Sequence, residues 1–281
     1  MIALDARRRA PKRRGPARST GVRAVPPSGP MASYATALLA LDAELAALIA
    51  REVEAAGLAP ARTDAAADGD GPAPAGAIKA LIARLRKLAG DHLALLRKPL
   101  ALLKVVAART SEHSAAQWSR QLRALGVSLD DVAAPDLRDA IAAWRRQNAQ
   151  LIRSLVQEKV QRVARAIEEH RGARVETLAK RIQEATDTGE GHARLLARDQ
   201  TLRLYGQVTQ ERHRAAGVAE YVWRASRDER VRRRHRELDG TRQKYSEPPV
   251  VDEASGRRAH PGGDFQCRCT ADPILPGIDD A

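Results

Sequence analysis

The chain has 281 residues, a formal net charge of +13 and only 3% aromatic residues. So basic a chain favours an anionic partner such as nucleic acid or an acidic protein surface, whereas the few aromatic side chains argue against a stacking platform for single strands. Two cysteines are too few for a disulfide framework, and no apolar run approaches the roughly 20 residues that cross a bilayer. Arg and Ala are also abundant in proteins from GC-rich genomes, so the charge alone leaves DNA contact and base composition open.

The first 30 residues carry eight Lys or Arg against one acid, with Pro and Gly between them. This composition predicts a disordered basic tail over residues 1–30, because it offers little apolar surface to bury. We favour a solvated tail over a basic arm on DNA. An upstream extension of a reading frame that starts at Met31 is a further alternative.

Residues 31–190 predict a helical body. Leu38, Leu41 and Leu45 recur at the spacing of one helix face, and a flexible linker rich in Pro, Gly and Asp follows near 58–76. Pro99 is expected to begin a new helix. The predicted helices run over about 33–56, 77–98, 100–125, 135–170, 174–185 and 192–215.

After Gly217 the pattern changes to that of a small mixed module. A strand is predicted over 218–223, a short helix over 227–238 with Ser226 as its N-cap, and a second strand over 265–271. The predicted fold is therefore mainly α. An elongated helical body precedes a small α+β C-terminal module over 191–281, which includes its lead-in helix.

The C-terminal module also contains a run of distinctive residues in a fixed order. They are Trp223, Asp228, His235, Asp239, Gly240, Pro261, Gly262, Cys267, Arg268 and Cys269. In residues and order this run resembles the phage Mu F-like minor head protein family. The resemblance extends to the lead-in helix from Arg194 to Gly217 and says little about residues 1–190.

The resemblance implies a virion-associated protein of tailed phages or prophages that acts in head morphogenesis. It implies the portal and/or the major capsid protein as partners, together with packaged double-stranded DNA, and no membrane. The expected location is the head interior or portal region of the virion, and the host cytoplasm during assembly. In this interpretation the motif residues have structural roles.

Seven arginines crowd one short stretch of the module. They are Arg224, Arg227, Arg230, Arg232, Arg233, Arg234 and Arg236. Guanidinium groups at this density bind phosphates without reading base sequence, or pair with an acidic ring of portal or capsid subunits. The alternative is a solvated charged face.

Four side chains of the module have the chemistry of metal ligands: His235, His260, Cys267 and Cys269. Two His and two Cys suffice for tetrahedral zinc, but a Cys-x-Cys pair is tighter than the usual Cys-x2–4-Cys spacing. We therefore predict that the cysteines lie on one side of a strand and pack as small core groups. We predict no cofactor, with zinc as the alternative.

Asp228, His235 and Asp239 are spaced to share one face of a helix. Such a set could orient a general base, but no nucleophile motif or phosphate loop accompanies it. We predict binding without catalysis and no catalytic residue. Two alternatives are kept: a metal-dependent nuclease or toxin-like effector that uses the His/Cys cluster, and a nucleic-acid-binding protein with no role in the capsid.

Overall fold

The structure is a computed structural model that describes residues 18–59, 71–90, 93–187, 189–226 and 228–275. Long helices account for most of these residues, and short strands follow near the C-terminus. The helices are α1 (Ser28–Ala55), α2 (Ala75–Gly90), α3 (Leu93–Arg123), α4 (Arg138–Glu169), α5 (Val175–Asp187), α6 (Glu190–Ala215) and α7 (Arg233–Glu237). The strands are β1 (Arg18–Ser19), β2 (Glu220–Arg224), β3 (Arg242–Lys244), β4 (Val250–Asp252), β5 (Arg257–Arg258) and β6 (Thr270–Leu275). The predicted class, mainly α with an α+β C-terminus, is confirmed.

Four strands form one antiparallel sheet in the order β1-β6-β2-β3, and β4 pairs with β5 separately. Strand β6 is therefore central. It places Ala271 opposite Trp223 of β2, and Leu275 opposite Arg18 of β1. The sheet thus unites residues from near both ends of the chain.

The chain divides into two compact units, and neither is continuous in sequence. The first unit contains three segments: the described residues up to Ala32, Val105–Arg145, and the residues from Arg198 onward. The second unit contains two segments, Ser33–Lys104 and Arg146–Ala197. This division differs from the predicted boundaries at 30 and 190. The reason is that Trp118 and Leu122 of α3 belong to the same buried cluster as Trp223 and Cys267.

In the second unit, the predicted stripe of α1 is buried. Leu38, Leu41, Leu45, Ile49 and Val53 are all at most 5% exposed. Lys159 of α4 is buried as well, and its Nζ lies 2.8 Å from Oδ1 of Asp42 on α1. This ion pair compensates the charge of Lys159, whose burial without a partner would cost free energy.

Helix α1 differs from the expectation that no segment is long and apolar enough to cross a bilayer. Among the described residues it is long and apolar enough to cross a bilayer by length and composition, with a mean hydropathy of 1.5. Its many Ala residues raise the mean hydropathy without forming an unbroken run of large apolar side chains. A buried core helix passes the same test, and the large side chains of the α1 stripe are buried within the second unit.

The prediction of a disordered tail is wrong for residues 18–30. Strand β1 pairs with β6, and the hydroxyls of Ser19 and Thr20 both donate to the carboxylate of Asp272. Residues 1–17 lie outside the described residues. Composition misled here because main-chain pairing and a buried acceptor hold the segment, together with the burial of small residues such as Ala24.

The predicted helix start at Pro99 is also wrong. Pro99 lies inside α3, which begins at Leu93. A proline within a helix costs about 3 kcal/mol, but the buried Leu96 and Leu103 continue the apolar stripe on both sides of it. Burial of that stripe offsets the cost.

The predicted helix over 227–238 shrinks to the five residues of α7. Asp228 instead accepts a hydrogen bond from the backbone N–H of Arg230, as in an Asx turn. Ser226 therefore caps no helix, and α7 begins after Arg232.

Candidate functional site

Helix α6 positions the loop that leads into β6. Asp199 Oδ1 accepts a 2.6 Å hydrogen bond from the backbone N–H of Gln266, and Arg198 donates to the Gln266 side chain. Gln266 has a φ of 51°, a left-handed conformation that is uncommon for a non-glycine residue. These contacts from α6 hold the turn that directs Cys267 into the core.

Three potential ligand side chains meet beneath this loop. Nδ1 of His235, on α7, lies 3.6 Å from the Cys267 sulfur and 3.5 Å from the Cys269 sulfur. All three residues are buried. The predicted strand over 265–271 is displaced toward the C-terminus, because β6 spans Thr270–Leu275. Neither cysteine therefore lies in the strand, yet both sulfurs face His235.

Asp264 is the residue that orients His235. Its Oδ2 lies 3.0 Å from His235 Nε2 and 2.6 Å from Nη1 of Arg232. Nε of Arg257 lies 2.8 Å from the other carboxylate oxygen, without the alignment of a hydrogen bond. The side chain of Asp264 is 0% exposed, so its charge depends on these cationic neighbours.

Residue spacing pointed to Asp228 and Asp239 as partners of His235 and gave no indication of Asp264. Asp228 pairs with Arg268 at 2.6 Å, and Asp239 accepts the backbone N–H of Ala225. Neither contacts His235, because α7 is too short to bring them onto one helix face. The available signal was an Asp in a Gly-rich loop three residues before Cys267.

His260 lies outside the cluster, so the structure brings together three of the four side chains of the alternative zinc set. Its Nδ1 lies 2.9 Å from the hydroxyl of Tyr221, and its ring packs against Tyr245. Burial lowers the pKa of His260, and nearby Arg214 adds to the effect. Among the described residues, the group of metal-ligating side chains is His235, Cys267 and Cys269.

The cluster shifts the proton affinities of its members. A hydrogen bond from Cys269, and then the contact with His235, lowers the pKa of Cys267 well below its usual range. The same bond and burial raise the pKa of Cys269. Burial lowers the pKa of His235, but Cys267 and Asp264 outweigh burial and the net shift is upward. The contacts within the cluster therefore favour negative charge on Cys267 and positive charge on His235.

The cluster borders a cavity of about 210 Å³. Four arginines also line this cavity: Arg198, Arg230, Arg232 and Arg268. A small anion or water can therefore lie next to the two sulfurs, in surroundings of positive charge.

The predicted arginine surface is largely paired within the protein. Arg224 is mostly buried and its Nη2 lies 2.6 Å from Asp272. Arg232 binds Asp264, and Arg233 and Arg234 both pair with Glu237. The remaining members differ: Arg236 donates to the carbonyl of Val231, Arg230 is exposed, and Arg227 lies outside the described residues.

Other motif residues surround the cluster. Trp223 is fully buried, and its ring contacts the His235 ring edge to face at 5.5 Å between centroids. Gly240 has a φ of 80° at the turn before β3. Pro261 and Gly262 are buried where the loop passes α6. These positions support the site by packing and backbone conformation.

The fold and the site define a mainly α protein with a small α+β C-terminal module built around a buried His–Cys–Cys cluster. Residues 157–272 match the family model described as Phage Mu protein F like protein. The match begins within α4 and ends in β6, so it extends further toward the N-terminus than the lead-in helix. The predicted resemblance is confirmed for this region.

One relative is a protein of Haemophilus influenzae described as "Uncharacterized protein". It is 37% identical to this chain over 143 residues. The alignment covers 50% of this chain and 31% of the relative, so the chain spans about a third of the relative's length. No solved structure matches the chain.

Proposed function

We propose that the protein acts in the head morphogenesis of a tailed phage or prophage, as a minor head component that docks to the portal or to the capsid interior. The observation that carries the proposal is the match of residues 157–272 to the phage Mu protein F-like family model. The matched residues include the buried cluster of His235, Cys267 and Cys269, strand β2 and the first residues of β6. The proposed role is binding, with no catalytic step.

Charge supports an anionic partner for the docked protein. The net charge is +13, and within the arginine cluster Arg230 and Arg233 are exposed. Arg233 is highly exposed and pairs with Glu237 of the same short helix, and exposed pairs of this kind contribute little stability. Such a guanidinium can exchange its partner for a phosphate or a carboxylate. We therefore propose contact with packaged DNA, without sequence preference, or with an acidic subunit surface.

Purified particles provide the test. Filled and DNA-free heads from the host that carries the coding region are separated by density, treated with nuclease, and analysed by quantitative mass spectrometry. We expect the protein in both kinds of head at a fixed ratio to the portal subunit, because docking to protein does not require DNA. Absence from both kinds would contradict the proposal.

A pair of variants links incorporation to the module. Trp223→Ala removes a fully buried ring from the module's core, a change that costs about 3–5 kcal/mol, and we expect it to lower incorporation sharply. The control Arg181→Gln changes an exposed residue of α5 and should be incorporated normally. Equal incorporation of the two variants would show that the module is not the docking element.

A further inference from the structure

We propose that His235, Cys267 and Cys269 bind one zinc ion through Nδ1 and the two sulfurs, with a fourth coordination position that opens to the arginine-lined cavity. This inference does not depend on the proposed role in head morphogenesis. It replaces the sequence-based expectation that the cysteines serve only as small core groups.

The distances within the cluster fit tetrahedral zinc. With Zn–N near 2.0–2.1 Å and Zn–S near 2.3 Å, tetrahedral coordination separates the nitrogen from each sulfur by about 3.6 Å. His235 Nδ1 lies 3.6 Å from one sulfur and 3.5 Å from the other. The three ligand atoms lie within 4.8 Å of one another. The tight Cys-x-Cys spacing is therefore no obstacle, because the bend before β6 turns both sulfurs toward His235.

The surroundings are those of a metal-binding histidine and metal-binding thiolates. Asp264 faces Nε2 of His235 at 3.0 Å, which leaves Nδ1 free to bind a metal. A carboxylate in this position fixes the tautomer and strengthens the imidazole as a ligand. The backbone N–H of Gly262 points at the Cys267 sulfur from 3.4 Å, a contact that stabilises negative charge on sulfur.

Charge balance also favours a divalent ion. Two thiolates neutralise Zn²⁺, and Arg232 and Arg257 neutralise the buried Asp264. The zinc ion with its two thiolates and a neutral imidazole carries no net charge, so burial of the loaded cluster exacts little electrostatic penalty. Soft sulfur ligands with one imidazole select zinc over magnesium or calcium.

The fourth position distinguishes this site from a closed structural one. Among the described residues, three side chains reach the metal position, and the cavity beside them is lined by Arg198, Arg230 and Arg268. Three protein ligands plus an open position is the pattern of a zinc that keeps a water. The arginines favour replacement of that water by an anionic oxygen, such as a carboxylate or phosphate oxygen.

The first experiment measures zinc in the purified full chain by mass spectrometry of the metal. We expect one zinc per chain in the wild type and in His260→Gln, because His260 lies outside the cluster. Cys267→Ser, Cys269→Ser and His235→Gln should each retain less than a tenth of that zinc. Loss of zinc from His260→Gln with retention in His235→Gln would overturn the assignment.

A second measurement avoids variants that fail to fold. Cobalt(II) added to the wild-type protein should give the visible bands of tetrahedral coordination and the sulfur charge-transfer bands of two thiolates. X-ray absorption of the zinc form should show two sulfur, one nitrogen and one oxygen ligand. The proposal is wrong if the wild-type protein binds neither metal at micromolar concentration and a chelator does not change its unfolding temperature. In that case the cysteines serve only as packed core groups.

Asp264→Asn tests the supporting contact separately. The amide keeps the shape of the side chain but removes the charge that faces His235 Nε2. We expect zinc affinity to fall about 10–100-fold while one zinc still binds at saturation. An unchanged affinity in a folded Asp264→Asn protein would contradict coordination through Nδ1 of a histidine held by Asp264.

Discussion

Gly206 of α6 and Gly262 of the loop before β6 lie against each other with no side chain between them. A Cβ atom on Gly206 would lie 2.6 Å from the carbonyl oxygen of Pro261, and one on Gly262 would lie 2.8 Å from that of Leu202. Gly262 also has a φ of 83°, which favours glycine. This backbone contact holds the cysteine-bearing loop close to α6.

We predict that Gly206→Ala and Gly262→Ala each destabilise the protein, by roughly 1–3 kcal/mol, since each added methyl group meets backbone that cannot move independently. Gly262→Ala should be the worse of the two, because it adds conformational strain to the clash. Urea unfolding measures both. The control is Gly191→Ala in the same helix, where the new methyl group has open space and should be neutral or stabilising by up to about 1 kcal/mol. Equal stability in all three variants would contradict the close approach.

The N-terminal segment yields a second prediction, opposite to the one that composition suggested. Asp272 is 0% exposed and accepts hydrogen bonds from Ser19, Thr20 and Arg224. The double change Ser19→Ala with Thr20→Ala removes two donors from a buried carboxylate, which should cost about 1–3 kcal/mol. A chain that starts at Met31 should lose at least as much.

Chemical denaturation of the wild type, the double variant and the chain that starts at Met31 measures these losses in the free energy of unfolding. Val25→Ala, at an exposed apolar side chain of the same segment, is the control and should stay within about 0.5 kcal/mol of the wild type. If the chain from Met31 is as stable as the full chain, residues 18–30 contribute nothing to the fold.

The third prediction concerns acid stability and His213. This side chain is fully buried, and burial, with Arg212 nearby, lowers its pKa to about 3. Its Nδ1 lies 2.6 Å from the Tyr245 hydroxyl. Because the folded pKa is below the unfolded value of about 6.5, the unfolded chain binds the extra proton first. The contribution of neutral His213 to the free energy of unfolding is therefore fully present above about pH 6.5. It is lost as the pH falls toward 3, at up to about 1.4 kcal/mol per pH unit.

Unfolding free energies of the wild type and His213→Gln, measured from pH 8 to pH 4, isolate this contribution. The variant should be less stable than the wild type at pH 8, because a buried contact is changed, yet lose less stability as the pH falls. Parallel curves for the two proteins would show that His213 does not titrate with folding.

The fourth prediction tests contact with DNA. Duplex affinity of the full chain should fall linearly with the logarithm of salt concentration. Arg230→Gln with Arg233→Gln should reduce that slope by up to about 1.8, since each phosphate contact contributes about 0.9. Arg181→Gln, an exposed and paired arginine outside the cluster, should leave the slope unchanged. If the double variant also leaves it unchanged, the arginine cluster does not contact DNA.

Features that depend on neighbouring residues could be predicted from the order of the amino acids. Apolar spacing located α1, because residues three and four positions apart share a helix face whatever surrounds them. Gly126 and Gly217 have positive φ and follow the ends of α3 and α6, where glycine is the usual residue. The motif residues identified the C-terminal module, since their order along the chain is independent of their placement in space.

Contacts between side chains that are distant in sequence could not be predicted in this way and emerge from the folded structure. Asp264 rather than Asp228 faces His235, and His260 turns to Tyr221, because those contacts join segments 29 and 39 residues apart. Burial of neighbouring leucines carries α3 through Pro99, and a buried carboxylate on β6 orders Ser19 and Thr20. Each outcome depends on contacts between distant segments, and local composition contains no information about them.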